Sequence, residues 1–165
     1  MKAIGIHART AKELYYGKPH HNFLKNLQNK MAIPLIISGN IFTLEEAIEA
    51  LNISKAKAVM VARGAVGNPY LITQIDTYLS KGIKLDNTNQ LDNIKYCRGL
   101  SKAIIKEKGE KTGTAILRSI APKFIMNIPK AKQYRCEISQ SIKTYNDLDL
   151  ILKKIEKEVK IYGRK

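Results

Sequence analysis

Cysteine is scarce, acidic charge is short, and no long apolar run occurs anywhere in the 165 residues. The two cysteines, Cys97 and Cys136, lie far apart without metal-ligand spacing, so buried thiols in a reducing cytoplasm are expected. No His/Cys/carboxylate cluster has the spacing of a metal site, and no pair of carboxylates is placed for acid–base work. No apolar run approaches the ~20 residues of a membrane span, and no leader is expected, because the opening residues pass straight into strand-like sequence. A composition 44% hydrophobic and 26% charged, with no low-complexity tract, argues against disorder.

The shortage of acid is the loudest global feature. Fourteen Asp and Glu stand against 29 Lys and Arg, a net charge of +15. Such an excess is the electrostatic footprint of a nucleic-acid binder, because each neutralised phosphate releases counterions. A solvated basic surface gives the same count. Both readings stand at this point.

Patterning divides the chain. A strand is expected over Lys2–Ala8, followed by a loop at Tyr15–Pro19 marked by Gly17 and Pro19. The spacing of Phe23, Leu24, Leu27 and Met31 predicts a helix from His20 to Met31, with His20 and His21 as surface or packing residues at its start. A strand over Ile33–Ile37 then stops at Ser38-Gly39-Asn40. Thr43-Leu-Glu-Glu46 is a capping box, opening a helix that runs to about Leu51. The strand Ala58–Val61 stops at Ala62-Arg63-Gly64, and a helix with Pro69 in its first turn ends near Gly82. Runs apolar on both faces suit parallel strands covered by helices, so this half reads β-α-β-α-β-α. After the polar connection 84–89 only helices fit: Gln90–Lys108, Lys111–Asn127, Lys130–Ser141 and Thr144–Tyr162. Pro122 should kink or divide the second. Of the charged residues, 18 basic and 9 acidic lie from position 85 onward, which places +9 of the +15 in the helical half.

Both glycine-bearing turns fall at the carboxyl ends of parallel strands, where βα folds hold ligands. A glycine lets backbone N–H groups approach a ligand, and a following helix start favours an anion. Either turn alone is explained by tight chain reversal. Together, with Arg63 as a charge-assisted donor, they point to a phosphate cradle formed by Ser38, Gly39, Asn40, Ala62, Arg63 and Gly64. His7 and Arg9 share that rim; a histidine there suits a cofactor ring or proton transfer, or simply meets solvent. Arg118 and Arg135 sit among lysines in the helical half, facing either phosphates or solvent.

The order His7-Ala-Arg-Thr10, then Ile33-Pro-Leu-Ile-Ile-Ser-Gly-Asn-Ile41, then Val59-Met-Val-Ala-Arg-Gly-Ala-Val-Gly-Asn-Pro69 resembles the tRNA-dihydrouridine synthases. The likeness continues through Leu117-Arg118 and Ile128-Pro-Lys-Ala-Lys-Gln-Tyr-Arg135. It implies an FMN enzyme with a TIM barrel and a C-terminal helical domain that helps hold tRNA. In that chemistry NADPH reduces the flavin, hydride passes to C6 of a uridine, and a cysteine acid protonates C5. By the same resemblance Ser38-Gly39-Asn40 and Ala62-Arg63, with Gly64, hold the FMN phosphate and His7 meets the flavin ring. Arg9 lines the uridine pocket, and Arg118 and Arg135 meet tRNA. Two departures stand out: the family's usual Asn-Gly-Asp or Asn-Gly-Glu is Ser38-Gly39-Asn40 here, and its usual Gly-Arg is Ala62-Arg63.

The expected fold is therefore α/β. A partial TIM barrel of about three parallel βα units over 1–84 precedes an all-α tRNA-binding domain over 85–165. A full barrel needs eight strands and roughly 250 residues, so the chain is expected to be the C-terminal part of such an enzyme. The loop bearing the catalytic cysteine and an FMN-contacting lysine is missing from it, no catalytic residue is assigned, and the isolated chain is expected to be inactive. A second polypeptide would be one source of the missing strands. Two alternatives remain at this stage: a basic tRNA-binding remnant without flavin, and another FMN-binding barrel oxidoreductase.

Overall fold

A computed structural model describes residues 2–14 and 16–162; Tyr15 of the expected loop lies outside the described residues. Along the chain run β1 (Ile4–His7), β2 (Leu35–Ser38), α1 (Leu44–Ser54), β3 (Ala58–Met60), α2 (Tyr70–Lys81), α3 (Gln90–Ile120), α4 (Ala131–Ser141) and α5 (Tyr145–Tyr162). Two compact units result: the chain up to Ala65 with Tyr70–Leu85, and Val66–Pro69 with the chain from Asp86.

In the first unit the three strands are parallel in the order β1-β2-β3. Sequential order without a reversal fits part of a βα barrel. Leu35 and Ile37 alternate inward and are fully buried, packing with Ala50 and Leu51 of α1. The capping box forms as its residues dictate: Thr43 Oγ1 accepts from the Glu46 amide, and Glu46 Oε2 accepts from the amides of Thr43 and Phe42.

The expected helix from His20 to Met31 does not form. Two 3₁₀ turns, His21–Leu24 and Leu27–Lys30, take its place. Asn26 between them is left-handed at φ +56°, and its amide donates to the Ile53 carbonyl at 2.9 Å, which breaks helical continuity. Leu24, Leu27 and Met31 still pack on the sheet, but Phe23 points to solvent. Gln28 bridges the loop, its amide nitrogen donating to the Ile33 carbonyl and its oxygen accepting from the Leu35 amide at the start of β2.

The second unit holds no strand among the described residues. Gly109, at φ +74°, divides the helical run Gln90–Ile120 into segments 90–108 and 110–120. The segments pack closely where Gly113 meets Ile105: a Cβ on Gly113 would come within 2.7 Å of the Ile105 Cδ1. Pro122 ends the second segment in a 3₁₀ turn, Ala121–Phe124, because it cannot donate and crowds the preceding turn. The core joins Ile94, Leu117, Phe124, Ile138, Leu148 and Leu152, with α5 supplying the longest stripe. Arg98 fastens α3 to α5, its Nε donating to Asp149 and its Nη1 to Glu156, both at 2.7 Å.

Candidate functional site

The parallel register carries the strand ends into line. His7 pairs with Ser38 and Ser38 with Met60, so the residues that follow each strand emerge at one edge of the sheet. His7 Nδ1 and Ser38 Oγ lie 3.0 Å apart, a hydrogen bond across the last rung. Past that rung the chain turns through two positive-φ residues, Gly39 at +129° and Asn40 at +45°. Their amides lie beyond both ladders, which end at Ser38.

The second turn meets the first. Arg63 Nη2 donates to Asn40 Oδ1 at 3.2 Å, and its guanidinium lies 5.7 Å from the centre of the Phe42 ring. Gly64 is buried against the chain leaving the first turn: a Cβ there would fall 1.9 Å from the Ile41 carbonyl oxygen. Glycine is obligatory at that contact. Ala62 and Arg63 stay exposed on the rim while Gly39 and Gly64 are buried beneath it. Of the residues singled out in the sequence, His7, Ser38, Gly39, Asn40, Ala62, Arg63 and Gly64 thus gather at one edge.

Arg9 is used differently. Its guanidinium donates to the Leu14 carbonyl at 3.3 Å and to the Gly17 carbonyl at 2.6 Å, bracing the loop after β1. The same loop is closed by a charged hydrogen bond between Glu13 and His20, with Thr10 adding further donors. These bonds hold the Glu13 carboxyl down at about 2, the one from His20 foremost. In the helical unit Arg118 donates Nε and Nη2 to the Ile142 carbonyl at 3.0 and 2.8 Å, and Arg135 donates to the Ile125 carbonyl at 3.0 Å. Both arginines close chain ends that have run out of helical partners.

Three residues reach the rim that the sequence did not place there: Pro19, read as a loop marker, His21, read as a surface or packing residue, and Phe42. Pro19 and His21 pack on Gly39 from a turn 18 or so positions upstream, and a Cβ on Gly39 would approach the Pro19 Cβ to 3.0 Å. Burial pushes the His21 imidazole below its ordinary pKa against the pull of Glu49, the Ser38 backbone and Glu46, and His7 pushes it the same way as burial. Only the assembled turn shows these contacts. A groove of about 600 Å³ in the same unit, lined by Lys25, Asn26, Glu45, Glu49, Lys55 and Lys84 among others, shares no residue with the rim.

Three sequential parallel strands with polar turns joined at their carboxyl ends are consistent with part of a βα barrel, a class that carries its ligands at that end. Within the class, the chain belongs to the dihydrouridine synthase (Dus) family, whose profile matches residues 1–160. It is 33% identical over 135 residues to a probable tRNA-dihydrouridine synthase of Rickettsia bellii, covering 82% of this chain and 41% of that protein. It is 31% identical to the corresponding protein of Rickettsia conorii over 82% of this chain and 41% of the relative. Identity to tRNA-dihydrouridine synthase B of Vibrio parahaemolyticus is 26% over 94% of this chain and 46% of the relative. The chain spans less than half the length of these curated relatives.

Proposed function

We propose that this chain contributes the FMN-phosphate rim and the tRNA-facing helical unit of a cytoplasmic tRNA-dihydrouridine synthase, which reduces uridine to 5,6-dihydrouridine in tRNA with NADPH as reductant. The observation that carries the reading is the joining of the two strand-end turns, Arg63 to Asn40 beside His7 on Ser38. The residues suit a phosphate monoester. Neither turn contains a carboxylate, the Gly39 and Asn40 amides lie beyond the ladders, and Arg63 supplies a guanidinium fitted to phosphate oxygens.

Bound FMN supplies the hydride chemistry. The chain's own part is to neutralise the phosphate through Arg63, bond its oxygens through the Gly39 and Asn40 amides, and orient the ring through His7 at the end of β1. Arg9 shapes the uridine side by bracing the loop after β1, and the basic helical unit, with Arg118 and Arg135, meets tRNA phosphates. Both cysteines belong to the helical unit, and burial pushes the Cys97 thiol up to about 11. No cysteine acid stands on the strand unit. The 165 residues alone are therefore expected to lack reductase activity until further βα units, from a second polypeptide or a longer one, pair with the sheet.

Flavin fluorescence tests the rim. Purified chain should quench FMN on binding, and Arg63→Ala should weaken that binding about tenfold to hundredfold, the loss expected for charge-assisted hydrogen bonds of ~1.5–3 kcal/mol. Unchanged affinity in the variant would remove Arg63 from the site. A colourless protein that binds tRNA in a salt-sensitive way would favour the flavin-free tRNA-binding reading instead. Dihydrouridine made by the 165-residue chain alone would overturn the expected inactivity.

A further inference from the structure

Ser38 and Gly39 are held by two histidines, of which His7 is accounted for by the rim. The other, His21, packs its imidazole against the turn so closely that a Cβ on Gly39 would lie 3.4 Å from its Nε2. That nitrogen is buried and has no hydrogen-bond partner among the described residues. A buried orphan of this kind costs free energy unless something satisfies it. The charged and titratable groups facing the ring are His7 on β1 and Glu46 and Glu49 on α1, with the Ser38 backbone alongside. Desolvation outweighs the two carboxylates and the Ser38 backbone and holds the imidazole below its ordinary pKa. A divalent anion held by the neighbouring amides would shift that balance toward the charged form.

We propose that His21 is a positioning residue of the Ser38–Gly39–Asn40 anion site, seating the turn through Gly39 and taking a proton from solvent when a divalent oxyanion binds there. The inference rests on the reading of that turn as a phosphate site. Its consequence is that anion affinity and His21 protonation are linked: the protonated protein binds tighter, so affinity falls as pH rises. Packing alone would give no such slope.

The test follows the histidine ring resonances of the full 165-residue chain between pH 5 and 8.5, at constant ionic strength, with and without sulfate and then FMN. Sulfate stays a dianion throughout, so its own titration adds nothing. His21 is expected to titrate about one pH unit higher with saturating sulfate, and sulfate binding to weaken about tenfold from the acid to the alkaline end. His21→Phe keeps a ring of similar bulk and should bind sulfate with that slope removed. Should His21→Phe fail to fold, the ring titration of the unaltered chain decides alone. Sulfate or FMN bound at the turn with the His21 titration unmoved would overturn this inference and leave the phosphate reading intact. If neither anion perturbs any rim resonance, both readings fall together.

Discussion

The strand unit and the helical unit solve the same problem with different materials. Among the described residues, the helical unit gathers thirteen buried ones into one continuous cluster, dominated by isoleucine and leucine. The strand unit divides its interior into two clusters of five, one under β2 and one around Ile41 and Leu71. With little side-chain volume to draw on, its strand-end turns are fixed by backbone against backbone at Gly64 and by polar bridges such as His7–Ser38 and Arg63–Asn40. Stability in one unit resides in volume; in the other it is bound up with the site. A rim that must stay polar and open cannot also be a large apolar core.

Gly64→Ala breaks this contrast with the largest effect. The added Cβ would sit 1.9 Å from the Ile41 carbonyl oxygen, and a backbone oxygen cannot swing aside as a side chain can. A loss of about 3 kcal/mol is expected, at the upper end for overpacking. The check is amide exchange of the β2 residues together with the urea midpoint. Gly17→Ala is the control, since no described residue lies within 4 Å of its Cβ position and only its φ of +69° is penalised, by about 1 kcal/mol. Equal losses at the two glycines would show that close approach is not what fixes the rim.

Arg98→Met probes the other unit. It leaves the part-buried Glu156 carboxylate without its guanidinium and Asp149 with Lys153 alone, for an expected loss of about 1–2 kcal/mol. The pH dependence follows from Asp149. Burial pushes its carboxyl up, but the hydrogen bonds from Lys153 and Arg98 win and hold it below the ordinary value. A carboxyl depressed in the folded state contributes stability above its unfolded pKa, and that contribution is lost as pH falls through the folded value. The gap between parent and variant should therefore be full near neutrality and close below about pH 4, where unfolded aspartate begins to protonate. A gap that persists undiminished at pH 2 would assign the loss to packing of the arginine stem.

What could be read from the sequence was local. Thr43 and Glu46 are three apart, so their capping box needs no tertiary information, and a break between 108 and 111 follows from a glycine that can take φ +74° at Gly109. Pro122, expected to kink or divide a helix reaching Asn127, instead ends it at Ile120. The failure at 20–31 has the opposite origin. The apolar spacing was helical, but Asn26 turned left-handed to reach the Ile53 carbonyl, a partner 27 positions away that periodicity cannot show. The rim divides in the same way: strand-end glycines were visible, whereas His21 on Gly39 exists only once the loop after β1 folds back.

The smallest expected effects sharpen the comparison most, because Arg118 and Arg135 stand where structure and charge overlap. Each already donates to a carbonyl, of Ile142 and Ile125 respectively, and each guanidinium carries five donors, more than those bonds consume. Replacing either by alanine should cost about 1 kcal/mol of helical-unit stability through the lost hydrogen bonds. If the remaining donors meet phosphate, the same change should also lower the slope of log affinity for tRNA against log salt by about 1. Lysine at either position separates the two roles, since a point charge restores the salt slope but not the guanidinium's geometry at the carbonyl. Lost stability with an unchanged slope in both alanine variants would make these arginines purely structural. The +9 carried from residue 85 onward would then reach tRNA through its other basic residues, most of them lysine.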